Sequence, residues 1–383
     1  MHTNMADPRA GSGSSKIGYT VNLSQSEVAE IETARETFKA TEAQSYNVSA
    51  ETFPLPTVGP RLEAIARNLH EGTGFALLHG LDPAKYSNED NITMFLGLGS
   101  HIGSQRGAQN KNRDMISHIT DAKEWQNVPP EKRHGIHTNS ALPFHTDMGC
   151  EILVLQYRRI AAEGGATSLA SAAAIYNDLL KQPEILKTLE AAEWPVQLGA
   201  NPLRMATMPL IAHHRGHVII SADPGRLGLH PATAEKRSEG CYLTELQLRA
   251  LKVLNDLAEK HAVPIPAQAG DILFINNLSM LHKRDSYVDA DAKGAEEGSP
   301  AMVTNGIEED TMRRWLTRLW LRNESLSWEI PEDMKIPWQA AYGSVGRLIP
   351  PKYEINPLKP YNPPKYTAGT AAWLIEDDDA QME

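Results

Sequence analysis

The sequence predicts a mainly β protein with flanking helices. Short apolar runs rich in β-branched and aromatic residues recur at 75–80, 152–157, 270–277 and 315–321, and such runs are typical of buried strands. Amphipathic segments with helical spacing lie before the second run and between the second and the third. The chain has 383 residues, of which 41% are hydrophobic, so it can bury a sizeable core in one decorated barrel or in two average domains.

The N-terminal part is predicted to be helical around one short strand. Residues 1–22 are polar and rich in Gly, Ser and Asn, and we predict that they are disordered. Apolar residues three or four apart predict an amphipathic helix over 24–43. A proline in the first turn and glycines beyond the last predict a second helix over 61–70, and a third is predicted over 91–101.

The stretch 103–142 has no apolar periodicity and is rich in Gly, Asn, Arg, His and Pro. It lies just upstream of the pair His145 and Asp147. A long irregular segment in such a place is either a lid over a functional site or a mobile surface loop without a role. The sequence leaves both interpretations open.

The middle of the chain alternates strands with helices. A turn is predicted over 163–168, where two glycines adjoin, and a helix over 171–189 that Pro183 interrupts. A hairpin is predicted over Met208–Ile220, with its turn at Arg215–Gly216.

The helix predicted over 244–260 has the clearest signals. Thr244 and Gln247 have the spacing of a capping box, in which each side chain bonds the backbone N–H of the other residue. Four leucines then form one helical stripe, which we predict packs on the core: Leu248, Leu251, Leu254 and Leu257.

The C-terminal part returns to strands. Residues 288–311 are acidic and contain Gly without apolar periodicity, so they are predicted to be an exposed insertion between two strands. The tail is proline-rich, and 371–383 form an acidic end. We therefore predict a single domain over 23–370.

Composition limits the partners and the compartment. The formal net charge is −11 and no basic run compensates it locally, which argues against nucleic acid or an anionic membrane surface as partner. Two cysteines are too few for a disulfide framework, and no apolar run of membrane-spanning length occurs. We expect a soluble, cytoplasmic protein that acts on a small molecule. No heptad pattern is sustained, so the oligomeric state stays open.

His145 and Asp147 lie two residues apart, next to a proline and an aromatic residue. On a strand, two such side chains point to the same face. One imidazole and one carboxylate are two thirds of a facial triad, the ligand set that holds non-heme Fe(II) and leaves positions open. The pair alone is weak evidence, because His-x-Asp tripeptides arise by chance on protein surfaces.

A third ligand has many nominal candidates among the 14 histidines of the chain. His282 is preferred because it follows an apolar strand and a polar turn, from which a side chain can project into a cavity. Other histidines have weaker contexts and are interpreted as surface or lid residues: His134, His137, His213, His214 and His217.

Four motifs carry a resemblance to a known family, and they occur in the right order: Pro143–Asp147, Gly164–Thr167, Gly270–His282 and Arg313–Leu321. They resemble the taurine dioxygenase-like (TauD/TfdA) branch of the Fe(II)/2-oxoglutarate-dependent oxygenases. The matched region runs from about residue 72 to residue 323, and the sequence just before His282 is most similar to fungal members. Four motifs together are far more specific than any one of them.

The resemblance implies a double-stranded β-helix, the jelly-roll or cupin-like core of the family. It implies that His145, Asp147 and His282 bind Fe(II), and that 2-oxoglutarate and O2 are cosubstrates. It also implies that Thr167 and Arg314 bind the distal carboxylate of 2-oxoglutarate. The chemistry agrees, since the guanidinium fork binds a carboxylate in two places and a hydroxyl adds a further donor. No catalytic side chain is predicted beyond the metal centre.

Arg318 is implied to lie near the substrate or near the C1 carboxylate of 2-oxoglutarate. Arg314 and Arg318 are four residues apart, so a strand would place both on one face. In many relatives the anchoring arginine follows the distal histidine much more closely, and the 288–311 insertion accounts for the difference at little cost in loop-closure entropy. The anchor is Arg313 or Arg314, and the spacing to Arg318 favours Arg314.

The leading hypothesis is a dioxygenase that oxidises an unactivated C–H bond of a small carboxylate-bearing or amino-acid-like molecule, by hydroxylation, desaturation or ring closure. Its substrate contacts are predicted at His137, Asn139 and Ser140, just before the metal-binding strand, and at Arg318. Two alternatives remain: an oxygenase of protein or peptide side chains, and a non-catalytic barrel that binds a metal or ligand. The presence of both the ligands and the cosubstrate anchors argues against the second alternative.

Overall fold

The structure is a computed structural model, and it describes residues 18–110, 112–121, 135–200, 203–228, 242–290, 313–343 and 349–357. Its strands are, in chain order, β1 (Thr20–Asn22), β2 (Phe75–His79), β3 (Gln105–Arg106), β4 (Ile116–Ile119), β5 (Leu142–His145), β6 (Ile152–Arg159), β7 (Glu163–Gly164), β8 (Thr167–Ser171), β9 (Trp194–Ala200), β10 (Leu203–Met208), β11 (Ile211–His214), β12 (His217–Ile220), β13 (Val263–Ile265), β14 (Ile272–Asn276), β15 (Met280–Arg284), β16 (Tyr287–Val288) and β17 (Trp315–Arg322). Its α-helices are α1 (Gln25–Lys39), α2 (Val58–Glu71), α3 (Asn88–Ser100), α4 (Ala172–Leu179), α5 (Pro183–Glu190), α6 (Glu245–Lys260) and α7 (Ile336–Tyr342).

Two sheets form the centre of the molecule. The larger has the order β1-β2-β14-β6-β17-β3, and β4 also pairs with β17. The smaller has the order β13-β8-β15-β5. All pairings within these two sheets are antiparallel except that between β1 and β2. Two facing antiparallel sheets make the jelly-roll core, so the predicted fold class is confirmed.

Alternating side chains show which strand faces meet. On β6 of the larger sheet, Leu153 and Leu155 share a core cluster with Leu169 and Met280 of the smaller sheet, so these residues point between the sheets. Ile152 and its alternate neighbours on β6 point the other way, into the cluster of the N-terminal helices. Both faces of these strands are therefore buried, which is why the sequence shows continuous apolar runs rather than alternation.

Helices cover the outer faces of the sheets. Apolar residues of α1, α2 and α3 pack on the larger sheet. Residues of α4, α5 and α6 pack on the outer face of the smaller sheet, where Phe144, Ala170 and Leu281 point toward them. Strand neighbours of these three residues consequently point inward, and His145 and His282 are among those neighbours.

Several sequence predictions are confirmed in this region. The helix predicted over 171–189 is broken before Pro183, which starts α5. The hairpin of β11 and β12 turns at Arg215 and Gly216, and both have positive φ angles, of 50° and 84°. Two consecutive residues with positive φ are what a two-residue hairpin turn requires.

Of the predicted leucine stripe of α6, only Leu254 is fully buried. The buried positions are Gln247, Ala250, Leu254 and Ala258, whereas the Leu248 residue is 54% exposed. Leu251 and Leu257 are half-buried at the edge of the core cluster. Small alanines on the inner face let the helix approach its neighbours closely. A prediction based on leucine positions alone does not identify this face.

Three local predictions are wrong. The stretch 103–142, predicted to be irregular, contains β3 and β4, and β4 is a buried strand paired with β17. Thr20–Asn22, predicted to be disordered, pairs with β2 through backbone hydrogen bonds that composition does not reveal. The turn predicted over 163–168 already includes β7 and the start of β8.

Other predictions lie outside the described residues: disorder over 1–17, the insertion from 291 to 311, and the acidic tail over 371–383. The part of 103–142 between 122 and 134 is also outside them. None of the helices in the described ranges is long and apolar enough to cross a membrane.

His118 of β4 is a buried histidine with a fixed hydrogen-bonding pattern. Its Nδ1 accepts a hydrogen bond of 3.0 Å from the indole N–H of Trp315, so its Nε2 carries the proton and donates to the Glu354 carbonyl at 2.8 Å. Burial lowers the pKa of His118 from 6.5 to about 4. If Nδ1 of His118 were protonated, its N–H would face the indole N–H of Trp315, and neither donor would have an acceptor there.

We predict that His118 makes the fold less stable in mild acid. The unfolded chain takes up this proton near pH 6.5 and the folded chain only near pH 4, so folding stability is lost as the pH falls through this window. Between pH 7 and pH 5 the loss is about 2 kcal/mol. His118→Gln keeps one acceptor and one donor but cannot titrate. Denaturant unfolding at both pH values should therefore show a smaller loss in the variant than in wild type, and equal losses would contradict the assignment.

Candidate metal centre

Two histidines face each other across paired strands. His145 ends β5 and is in register with His282 of β15. Both point between the sheets, and their ring centroids are 4.1 Å apart. The sequence predicted this pair of imidazoles, and the strand pairing brings them together from distant parts of the chain.

Asp147 joins the two histidines, but from a different element than predicted. The strand β5 ends at His145, so the carboxylate projects from the following turn rather than from the same strand face. Asn277 fixes this turn, because its Oδ1 accepts from the Asp147 N–H at 3.0 Å and its Nδ2 donates to the Asp147 carbonyl at 2.8 Å. One potential ligand atom from each of His145, Asp147 and His282 lies within 4.8 Å of the others.

The hydrogen bonds and the burial of these side chains suit them to metal binding. His145 Nδ1 is 2.8 Å from the Pro143 carbonyl and therefore carries the proton, which leaves Nε2 as the lone-pair donor. Burial, reinforced by His145, lowers the pKa of His282 to about 3. Burial alone would raise the pKa of Asp147, but Arg318 and the two imidazoles outweigh it and lower this pKa to about 2.

Protein donors hold the carboxylate of Asp147 by one oxygen, Oδ2, which we call its outer oxygen. Oδ2 accepts a hydrogen bond of 2.9 Å from Nη1 of Arg318 and one of 3.0 Å from the indole N–H of Trp320. Oδ1 lies 3.9 Å from Nε2 of His145, on the side of the ligand cluster. Gln109 in turn accepts from Nε of Arg318 at 2.8 Å. One oxygen is thus occupied by protein donors and the other is directed toward the imidazoles.

Sequence reasoning missed Gln109, Asn277 and Trp320. Trp320 had a usable signal, because it is two residues from Arg318 on one strand and therefore shares its face. Asn277 directly follows the end of β14, a position the sequence identified only as a polar turn. Gln109 lies in an irregular stretch and has no local signal.

Thr167 and Arg314 lie on two sides of Tyr157. The Tyr157 hydroxyl donates to Oγ1 of Thr167 at 2.8 Å, so the Thr167 hydroxyl keeps its own proton for another acceptor. Arg314 is 2% exposed, its Nη2 is 3.3 Å from the Gly165 carbonyl, and its charge interacts with Tyr157. A Cβ on Gly165, where φ is +70°, would lie 3.0 Å from Nε of Arg314. The glycine therefore makes room for the guanidinium.

Arg313 points away from this cluster. Its Nη1 is 3.3 Å from the Asp121 carbonyl, and its own carbonyl accepts from Arg159 at 3.0 Å. Arg314 precedes β17, and a register shift in the pairing with β6 follows Trp315. Arg314 therefore lies one residue before the strand that carries Arg318, and both side chains are buried.

The residues predicted to contact substrate fall into two groups. His137 is buried, and its electrostatic interaction with Arg318 places it close to the cluster. Asn139 and Ser140 are exposed. Asn139 is bonded through its backbone carbonyl to the N–H of Tyr287 at 3.0 Å, and Ser140 accepts from Arg284. The structure therefore brings only His137 of these three toward Arg318.

Two imidazoles and one carboxylate, with no thiolate among them, are the donor set of non-heme Fe(II) oxygenases. The sequence model described as "Taurine catabolism dioxygenase TauD, TfdA family" matches residues 36–302. The chain belongs to this family. TauD/TfdA membership confirms the predicted class, an Fe(II)/2-oxoglutarate-dependent dioxygenase with O2 as second cosubstrate.

This chain is similar in sequence to two curated proteins. The taurine hydroxylase-like protein SAT17 of Stachybotrys chartarum is 33% identical over 321 residues, which cover 82% of this chain and 78% of that protein. FR-33289 synthase of Streptomyces rubellomurinus is 26% identical over 322 residues, which cover 80% of this chain and 86% of that protein.

Solved structures share the TauD/TfdA fold with this chain. An asparagine oxygenase in complex with Fe(II), 3-hydroxyasparagine and succinate has a TM-score of 0.55 at 16% identity, covering 79% of this chain and 93% of that chain. The non-heme iron oxygenase OrfP in complex with Fe and alpha-ketoglutaric acid has a TM-score of 0.54 at 15% identity, covering 80% and 94%.

We predict that Trp320→Phe weakens metal binding. Without the indole N–H, Asp147 loses one of the two donors that hold its outer oxygen, and partners that orient a ligating group in this way typically contribute tenfold or more in metal affinity. Anaerobic titration with Fe(II) or Co(II) should show an affinity lower by about tenfold. Trp194→Phe is the matched control, since Trp194 is also buried and donates to a backbone carbonyl in the remote helical layer. Equal affinities in wild type and Trp320→Phe would contradict the assignment.

Proposed function

We propose that this enzyme oxidises an unactivated C–H bond of a small carboxylate-bearing or amino-acid-like molecule, with His145, Asp147 and His282 as the ligands of its iron. The observation that carries the proposal is the convergence of the three ligand atoms within 4.8 Å of one another between the sheets. We further propose a single domain over 23–370. A cytoplasmic location is also proposed, because a chain with only two cysteines suits a reducing compartment.

Thr167 and Arg314 are proposed to hold the distal carboxylate of 2-oxoglutarate. Both are buried, and both have hydrogen-bonding capacity left over. Nη1 of Arg314 is buried without an acceptor, and Thr167 keeps its hydroxyl proton because its oxygen accepts from Tyr157. Buried donors of this kind require partners, and a carboxylate supplies acceptors for both.

Arg318 is proposed to bind the substrate anion in addition to holding Asp147. Two of its nitrogens are engaged, Nη1 with Asp147 and Nε with Gln109, while no hydrogen bond in the described residues uses Nη2. The asparagine oxygenase and OrfP structures contain hydroxylated amino acids, and the fungal relative has a taurine hydroxylase-like name. Amino acids and taurine each carry a small anionic group, and a guanidinium recognises such a group.

The residues of the chain perform three tasks in this reaction. Iron with 2-oxoglutarate and O2 supplies the oxidant for an unactivated C–H bond, with hydroxylation as the default outcome. Asp147 would present one oxygen to the metal, because Arg318 and Trp320 hold the other. Thr167 and Arg314 orient the cosubstrate, and the closely packed apolar side chains between the sheets exclude water.

We predict a weak visible absorption band when wild-type protein receives Fe(II) and 2-oxoglutarate without oxygen, because the 2-oxoacid chelates the bound metal. His145→Ala should lose the band, since it removes one of three ligands. His261→Ala is the control, because this histidine is bonded to Asp178 outside the sheets. A wild-type protein without the band, or an undiminished band in His145→Ala, would refute the site.

The substrate class can be tested with a panel of amino and organic acids. The measurement is stimulated succinate formation, with mass spectrometry to separate gain of oxygen from loss of two hydrogens. We predict that Arg318→Ala raises KM for a stimulating carboxylate by roughly tenfold or more, as expected when a charged hydrogen bond is lost. Trp320→Phe is the control, because it weakens the hold on Asp147 but keeps the cation. An unchanged KM in Arg318→Ala would rule out the anchoring role.

A further inference from the structure

Arg284 is a buried cation, and the charge of Asp121 acts on it only from beyond ion-pair distance. It lies at the end of β15, two residues after His282, and is 6% exposed. Its Nη2 donates to the backbone carbonyls of Thr138, at 2.8 Å, and Ser140. Its Nε and Nη1 are buried and have no hydrogen-bond partner. No carboxylate in the described residues forms an ion pair with it.

Arg284 points into the same space as the proposed cosubstrate anchors. Met280 points between the sheets. The pairing of β15 with β5 shifts register between His282 and Arg284, but its pairing with β8 is regular from Met280 to Arg284, so the period of two gives Arg284 the direction of Met280. It is in register with Thr167 of β8, so the two side chains stand next to each other on one face. Two residues along a strand are roughly 7 Å, a distance that suits a short dicarboxylate whose other end lies at the ligand cluster.

A second buried arginine shares this space. The guanidinium carbons of Arg284 and Arg314 each lie 5.1 Å from the ring centroid of Tyr287. Burial, and next the charge of Arg314, lower the pKa of Arg284 to about 10, so both side chains are cations at neutral pH. The nearby Asp289 uses Oδ1 to accept from the backbone N–H of Arg314 at 2.7 Å. Nη1 of Arg314 and the hydroxyl of Tyr287 are also buried without partners.

Two buried like charges with unpaired donors are costly unless an anion lies between or beside them. We propose that Arg284 is a second cationic anchor for the distal carboxylate of 2-oxoglutarate, together with Arg314 and Thr167. The inference rests on the function proposed above and adds a residue to it. Because Arg284 also bonds the carbonyls of Thr138 and Ser140, it links the cosubstrate site to the segment that carries His137.

The test compares two cosubstrates that differ only in the recognised group. 2-Oxopentanoate has the same chain length as 2-oxoglutarate and the same metal-binding end, but a methyl group replaces the distal carboxylate. The visible band of the anaerobic Fe(II) chelate gives the Kd of either compound without turnover. In Arg284→Met, we expect 2-oxoglutarate to bind roughly tenfold or more weakly, and 2-oxopentanoate to bind within twofold of wild type.

Arg35→Met is the matched control. The Arg35 guanidinium also lies 5.1 Å from a tyrosine ring centroid, that of Tyr86, but in the outer helical layer. The Arg35→Met variant should leave the Kd values of both cosubstrates unchanged. Arg284→Lys keeps the charge without the fork, and it carries the test if Arg284→Met does not fold. It should lose affinity for 2-oxoglutarate selectively but to a smaller extent.

An equal loss of affinity for both cosubstrates, or no loss of affinity in either Arg284 variant, would overturn the inference. Arg284 would then only hold the backbone of Thr138 and Ser140 in place. These outcomes leave the wild-type band in place, so they are distinguishable from failure of the proposed function. Absence of the band in wild type would overturn both.

Discussion

Between the two sheets, the buried carboxylate of Asp147 accepts hydrogen bonds from Arg318 and Trp320, while the backbone of the same residue is bonded to Asn277. A buried carboxylate is tolerated only when such partners compensate its lost hydration. The partners come from β17 and from the end of β14, both in the larger sheet, whereas His145 comes from the smaller one. This residue therefore links the two sheets, since the turn that carries it follows a strand of one sheet and its partners belong to the other.

The interior also contains arginines that form no ion pair with a carboxylate of the described residues, although Asp121 and Asp289 act on them from farther away. Arg284 and Arg314 are buried with unpaired nitrogens beside the hydroxyl of Tyr287, which is unpaired as well. Such groups lower the stability of the ligand-free fold, because each loses hydration without gaining a partner. The same deficit provides binding energy for an anion that supplies the missing acceptors. In the proposed cosubstrate site, the same unpaired atoms would thus lower the stability of the free protein and raise its affinity for the cosubstrate.

Local patterns in the sequence predicted the central apolar strands β2, β6, β14 and β17 and most helix ends, because apolar runs and capping residues act over a few neighbours. Pro183 broke a helix where expected. Leu248 was misplaced because alanines rather than leucines define the inner face of α6. Asn277, Arg284 and Trp320 were not recognised, since their roles arise from contacts between residues more than one hundred positions apart or from strand register. The resemblance supplied the expected ligands, and only the fold showed what holds them.

The amide of Asn277 bonds a residue 130 positions earlier in the chain, and the strand pair that joins His145 with His282 closes a loop of similar length. Contacts at such separation form late, after the entropy of loop closure has been overcome. The proposed ligand set is therefore incomplete in a nascent or partly folded chain, which would bind iron weakly. Long sequence separation thus gives the enzyme an order of events in which the polypeptide folds first and acquires its redox-active metal afterwards.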